Sequence, residues 1–439
     1  MKQRMYGLLA ALGAASSLAA SEGGGYLFAT FRGEATPMTE HVYFMVSENG
    51  LDWEALNEGK PALVSRVGER GVRDPYILRA HDESGFYLIA TDLSIHLNPD
   101  WGRAQTAASQ SIVIWESEDL VNWSEPRLVK VAPDNAGCAW APEAIYDEER
   151  GEYMIFWASK TADDDYRKHR IWAVHTPDFR RFSEPFVYIE KPTTVIDTTI
   201  VREDGVYYRF TKDEQFKAIT LETSDDLMDG WEAIEDFSLA KLTGYEGPAC
   251  FRIPATEDEP ARWCLLIDWY SRGRGYQAYA TGELSTGDFE EMEPMRFPFH
   301  PVRHGSVLPV TGEEMQRLRE TMGSIELRAT SASVKPINLV IDWAAGTIQL
   351  PAMPDADLTR LDPGFAVARG LTVSPTGPQD FSRGPVRYRF GEQGAGLASP
   401  ASLSSWREEG KGPSARAKPT GPVAGSPARR GISPNFSLP

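Results

Sequence analysis

The chain has 439 residues, 41% of them apolar and 25% charged, a balance that supports a packed core and excludes wholesale disorder. A formal charge of -18 lacks the basic footprint that nucleic acid or an anionic membrane requires, whereas a neutral sugar is compatible with it. Three cysteines are too few for a disulfide scaffold, and aromatics at 11% favour strands and sugar-facing clefts over a helical bundle.

Lys2 and Arg4 precede a run of small and apolar residues, Met5 to Ala20, with Ser17 and Ala19 placed as a cleavage signal. Residues 1–20 therefore read as a signal peptide, too short to span a bilayer comfortably, and the mature protein is expected to be secreted and extracellular. From residue 21 to 323 the chain repeats. A turn of Ser or Thr, an acidic or small residue, Asp or Asn, then an aromatic occurs at Ser47–Trp53, Ser117–Trp123, Thr176–Phe182, Ser224–Trp231 and, more weakly, Ser285–Phe289. Each copy follows a β-rich run: His41–Val46, Ser111–Trp115, Ile171–His175, Ala218–Leu221 and Tyr276–Thr281. Strands and a polar turn with an aromatic, recurring every 48 to 70 residues, are the pattern of propeller blades.

A second series interleaves with the first. Arg73-Asp-Pro, Trp140-Ala-Pro-Glu, Ile196-Asp-Thr-Thr, Glu246-Gly-Pro and His304-Gly-Ser each open a short apolar strand. In a propeller the first strand of each blade lines the axis, so polar residues heading those strands converge on the channel mouth. Only one strand follows His304. Tyr26–Phe31, His41–Val46 and the Trp53 turn are therefore expected to complete blade five and remove the exposed edges. The fold expected is all-β, a five-bladed β-propeller closed by N-terminal strands, with a short helical and irregular C-terminal extension.

Asn122-Trp-Ser124 and Asn435-Phe-Ser437 match the glycosylation sequon. Cys250 and Cys264 lie in neighbouring apolar runs that a bridge could join, leaving Cys138 over. Gly312–Met322 has helical spacing. The extension over 324–381 holds strand-like runs at Ile337–Ile341 and Thr347–Leu350. From 382 to 439, 17 of 58 residues are Gly or Pro and nine Lys or Arg face three Glu, so a disordered low-complexity tail is expected.

Asp74, Asp197 and Glu246 head three of the inner strands. Glycoside hydrolysis needs one carboxylic acid to protonate the leaving oxygen and one carboxylate to activate water or attack the sugar. A third acid nearby raises the donor's pKa by like-charge repulsion. Each acid alone reads as a turn cap; three at matching places in three blades read as chemistry. Proline after Asp74 fixes the direction of that carboxylate.

The ordered set of motifs, Arg73-Asp-Pro, Trp140-Ala-Pro-Glu143, Ile196-Asp-Thr-Thr, Glu246-Gly-Pro and His304-Gly-Ser, resembles glycoside hydrolase family 43 from about Gly25 to Thr311. The resemblance implies inverting hydrolysis of arabinofuranosides, xylosides or related sugars, with Asp74 as base, Asp197 as pKa modulator and Glu246 as general acid. Glu143 stands where the family commonly has Asp, which lengthens that side chain. The resemblance also implies Trp140 as a sugar-facing aromatic, Arg73, Asp92 and Glu143 as hydroxyl contacts, and His304 near a metal or water cluster where it could help hold a structural calcium ion. No cofactor is required. The substrate expected is an oligo- or polysaccharide of plant cell-wall side chains, with an α-L-arabinofuranosidase favoured over a β-xylosidase or endo-arabinanase, acting as a monomer. Two other readings stand beside it. A sialidase-like propeller is echoed by Ser47–Trp53 but lacks a placeable arginine cluster, and a non-catalytic propeller would use the same acids only to bind hydroxyls.

Overall fold

The computed structural model describes residues 24–325 apart from 258 and 294, together with 327–329, 340–342, 347–351, 356–367, 371–392 and 400–406. Four antiparallel four-stranded sheets follow one another in sequence. Blade one holds Val72–Arg79, Phe86–Asp92, Ser111–Ser117 and Arg127–Lys130, and blade two Trp140–Asp147, Glu152–Ser159, Arg170–Thr176 and Phe186–Ile189. Blade three holds Val195–Glu203, Val206–Asp213, Ala218–Ser224 and Glu232–Ala233, and blade four Glu246–Ile253, Arg262–Asp268, Tyr276–Thr281 and Glu290–Glu291. The fifth is composite: Gly305–Val310 pairs with Gly25–Thr30, which pairs with Tyr43–Ser47 and then Glu54–Leu56. The inner strands of the five blades touch in cyclic order, so the chain's early strands close the ring as expected. Ser324–Ile325 adds a further strand to blade five, two residues past the boundary read from sequence.

The repeated turn explains both its composition and the ring. The opening hydroxyl accepts the N–H three residues on: Gly50 on Ser47 (2.8 Å), Leu120 on Ser117 (2.9 Å) and Phe179 on Thr176 (2.9 Å). The aromatic that follows packs against the preceding blade. Trp53 joins Phe251, Trp123 joins Phe44, Phe182 joins Ile89, Trp231 joins Phe156 and Phe289 joins Phe210. Five such clusters hold the blades together, each burying aromatic side chains that contribute roughly 1.5–3 kcal/mol apiece before entropy is charged against them.

Strand direction sets which loops matter. Val72 pairs with Asp92, Val195 with Asp213 and Gly305 with Thr30. Each second strand therefore ends where the inner strand begins, and the loop after it (31–42, 93–110, 214–217) opens at the mouth of the ring.

Cys250 pairs with Leu265, and Phe251 with Cys264. Side chains alternate along a strand, so the two thiols point to opposite faces of the sheet, and both are free. The bridge read from sequence is thereby corrected. Gly312–Met322 is a helix, capped by the reciprocal Thr311–Glu314 hydrogen bonds. Further on, Leu327–Ala329 pairs with Phe365–Val367. A five-stranded sheet joins Val340–Asp342, Thr347–Pro351, Pro400–Trp406, Val386–Glu392 and Leu371–Ser374. Val386–Glu392 and Pro400–Trp406 thus depart from the structureless tail expected from 382. Apolar Val386, Tyr388 and Phe390 alternate with Arg387 and Arg389, a period-two pattern hidden by the averaged composition. The signal-peptide reading, the sequon at Asn435 and the rest of the tail lie outside the described residues. Among those described, no helix is long and apolar enough to cross a membrane.

Candidate active site

The inner strands of blades one to four share one irregularity. Their pairing slips between Arg73 and Tyr76, Trp140 and Glu143, Ile196 and Thr198, and Glu246 and Ala249. At each slip one residue takes a left-handed conformation: Asp74 (φ 50°), Ala141 (φ 47°), Asp197 (φ 48°) and Gly247 (φ 58°). An extra residue in a strand re-aims the side chains around it. Aspartate tolerates this backbone better than most residues, and a left-handed non-glycine is a site of strain held by its surroundings. Blades one and three therefore carry their acid on the bulge itself. Blade four carries glycine there and its acid one residue earlier.

The bulges are tied together across blades. The Ala141 N–H donates to Thr91 Oγ1 (2.7 Å), whose hydroxyl donates to Asp74 Oδ2 (2.9 Å). The Gly247 N–H donates to Asp197 Oδ2 (3.1 Å). Asp74 Oδ1 lies 3.5 Å from His304 Nδ1, and the His304 ring packs on Gly247 so closely that a Cβ there would sit 2.6 Å from Cγ. Asp74, His304, Gly247 and Asp197 thus form one continuous chain of contacts, and Glu246 is its direct neighbour. Glu246 is gripped on both oxygens, by Lys212 Nζ at 2.9 Å and Arg303 at 3.0 Å. Lys212 is 2% exposed and also meets Glu214 at 2.7 Å, while Arg303 pairs with buried Asp268.

Electrostatics separates the carboxyls. Burial alone would raise Asp74, but the His304 hydrogen bond and charge, with Arg73 and Thr91, outweigh it and hold Asp74 below the ordinary carboxylate value. Asp197 goes the other way, to about 6, lifted by burial and by the nearby charges of Glu246 and Asp74 against the pull of His304 and Lys212. Burial also lifts Asp268 to about 6 and Glu143 to about 8. His304 loses from burial but gains more from Asp74, Asp197 and Glu143, reaching about 9, so it stands as an imidazolium at neutral pH. The result is an ionised Asp74 beside a cation, with Asp197 pushed upward by burial and by the charges of Glu246 and Asp74.

The remaining sequence candidates sort differently. Glu143 is 4% exposed, its Oε2 without a hydrogen-bond partner, and it answers electrostatically to His304, Asp197 and a Thr199 hydrogen bond, so it belongs to the same group. Trp140 is half-buried, its ring 5.1 Å from His169 and 6.2 Å from Trp101. Arg73 is engaged by Glu34 (2.8 Å) and fully buried Glu40 (3.1 Å), an ion-paired anchor for the segment after Thr30. Asp92 turns away from Asp74: Oδ1 accepts the Glu69 N–H (2.8 Å), and a Cβ at Gly68 would meet the carboxylate at 2.1 Å. Its role is to hold the loop at residues 68–69. Thr91, next in the strand and on the opposite face, takes the contact to Asp74 instead. Among the described residues no group of three or more His, Cys, Asp and Glu could together hold a metal ion.

Lys212, Asp268, Arg303 and His169 were not singled out by sequence. Burial, then the charges of Lys160, Lys212 and Lys217, drives His169 down to about 3 and keeps it neutral. Lys212 stands opposite Ile196, and Asp268 opposite Glu246. A charged residue at or next to the end of the second strand in blades three and four was the available signal, but it needs the hairpin register to be read.

Residues 22–316 match a family described as a probable glycosyl hydrolase domain, related to glycoside hydrolase family 43. Over 324 residues the chain is 28% identical to an alpha-L-arabinofuranosidase of Bifidobacterium longum subsp. longum, covering 62% of this chain and 29% of that one. The chain thus spans less than a third of that relative's length. Among solved structures, a thermostable family-43 glycoside hydrolase is 15% identical with a TM-score of 0.37, covering 52% of this chain and 74% of that one. The catalytic domain of a Coprinopsis cinerea GH62 alpha-L-arabinofuranosidase is 12% identical with a TM-score of 0.37, covering 52% of this chain and 70% of that one.

Proposed function

The chain belongs to the glycosyl hydrolases related to family 43, and on that premise we propose that it is a secreted, inverting α-L-arabinofuranosidase acting on side chains of plant cell-wall polysaccharide. The observation that supports this most is the chain of contacts running Asp74–His304–Gly247–Asp197, with Glu246 beside it. Asp74, kept ionised by His304, takes a proton from the attacking water. Glu246 gives its proton to the leaving glycosidic oxygen, and Asp197 sets the field in which it does so. Lys212 and Arg303 fix the direction of the Glu246 carboxyl. Single displacement asks for about 6.5–9.5 Å between acid and base, room for one water. The sugar assignment follows the activity of the Bifidobacterium relative, and secretion follows the signal-peptide reading of residues 1–20. The enzyme works as a monomer on an oligo- or polysaccharide.

The test is hydrolysis of a nitrophenyl glycoside panel by the full chain and by Glu246→Ala. Arabinofuranoside should be cleaved ahead of xyloside and galactoside. Glu246→Ala should lose most activity on a natural arabino-oligosaccharide and far less on the nitrophenyl substrate, whose leaving group needs no proton. Equal losses on both would remove Glu246 from the acid role, and a panel left wholly intact would favour a carbohydrate-binding propeller.

A further inference from the structure

We propose that Trp101 is the sugar-stacking platform of a subsite adjoining the reaction hollow, so that the protein grips at least two units of a neutral saccharide chain. The proposal rests on the glycosidase reading and adds a residue that determines the substrate's length. Trp101 opens the short helix Trp101–Thr106 within the 93–110 loop of blade one. That loop opens at the end of the ring where Asp74 and Asp197 lie. Indole rings are usually well covered, yet Trp101 is 47% exposed. Its edge stands against Trp140 at 6.2 Å and 88°, and the Arg73 guanidinium lies 5.3 Å from its ring. Those two neighbours directly precede the bulge residues Ala141 and Asp74, which fixes Trp101 at the border of the candidate site between blades one and two.

The helix that carries the exposed ring is nevertheless firmly anchored. Asp100 caps the helix through the Arg103 N–H (3.0 Å), and Arg103 makes a bidentate pair with Glu69 at 2.8 and 2.5 Å. Ala104, on the helix's inner side, is packed with Leu93 and Ile95. A pre-formed aromatic face of this kind loses little entropy on binding, and it suits the apolar C–H face of a sugar ring. The company is consistent: Met38, Leu97 and Phe216, three more exposed apolar side chains, also sit on loops that open at this end. The net charge of -18 turns away anionic polymers and leaves neutral ones.

Full-length wild type, Trp101→Ala, Trp101→Phe and, as a control on the outer strand of blade one, Leu128→Ala are compared in two assays. In native gels containing soluble arabinan or arabinoxylan, wild type and Leu128→Ala should be retarded by one of the polymers, Trp101→Ala much less, and Trp101→Phe should recover most of the retardation. In kinetics, Trp101→Ala should lose about tenfold more kcat/KM on an arabino-oligosaccharide than on nitrophenyl α-L-arabinofuranoside, the loss expected for one stacking contact. Equal losses on the two substrates, or retardation of Trp101→Ala equal to wild type, would overturn the proposal, as would a wild type that neither polymer retards. If no glycoside is cleaved, the catalytic reading fails by itself, and the gels still decide whether Trp101 binds a saccharide chain.

Discussion

Gly247→Ala isolates the contact on which the candidate site is built. The residue has φ +58°, and an alanine Cβ would lie 2.6 Å from His304 Cγ, 2.8 Å from its Cβ and 3.0 Å from Cδ2. The left-handed backbone costs about 1–2 kcal/mol for a residue with a Cβ. Carbon atoms prefer about 3.5–4.0 Å, so the imidazole must retreat by about 1 Å, a repacking that costs roughly 1–3 kcal/mol more. Retreat draws His304 Nδ1 off Asp74, or else shifts the 247 amide off Asp197, so the loss of kcat/KM should be on the order of a hundredfold. Gly205→Ala is the matched control: φ is +92° with nothing within 4 Å of the added Cβ, so it bears the backbone cost without the collision. Both proteins are assayed by thermal melting and on nitrophenyl α-L-arabinofuranoside. The Gly247 variant should melt lower than the Gly205 variant and be far less active. If the two agree within about twofold in kcat/KM, His304 does not organise the acids through this contact and the reasoning fails.

His304→Gln removes the positive charge that holds Asp74 down, so the acid limb of the kcat/KM–pH profile, which in wild type lies below the ordinary carboxylate range, should move to higher pH; an unmoved limb would detach His304 from the base. The same histidine predicts a stability window. Its folded pKa, about 9, exceeds the ordinary value of about 6.5, so its contribution is complete below about 6.5 and fades as pH rises through 9; urea unfolding of wild type should show a decline there that His304→Gln lacks. Lys212→Met strips a buried cation from Glu246 and Glu214 and should cost on the order of 3 kcal/mol in urea unfolding, with a fall in kcat/KM on the arabinofuranoside. Thiol titration of the denatured, unreduced protein should count three free cysteines, and a count of one would restore the bridge that the strand register excludes.

The architecture was legible because the propeller writes itself locally. Ser47, Ser117 and Thr176 are each followed at fixed distance by the aromatic that locks one blade to the last, and the missing strands after His304 left Gly25–Thr30 and Tyr43–Ser47 as the only partners to close the ring. The acids were legible for the same reason, since each heads an inner strand. Their phase was not. Nothing in Glu246-Gly-Pro beside Ile196-Asp-Thr reveals that the left-handed residue is Gly247 in one and Asp197 in the other, because a bulge is defined by pairing with the next strand. The same missing register hid Lys212 and Asp268 and made Asp92 look like a site residue. Thr91 and Asp92 point to opposite faces, and only the structure shows which one meets Asp74. At the C-terminal end, composition averaged over 382–439 concealed the alternation at Val386–Glu392.

Proton NMR of the first sugar released from nitrophenyl α-L-arabinofuranoside, recorded before mutarotation, asks directly whether Asp74 activates a water opposite the departing group. The account predicts the β-anomer, the inverted product, as the first signal; α-arabinofuranose appearing first would mean a covalent intermediate and would contradict the roles given to Asp74 and Glu246.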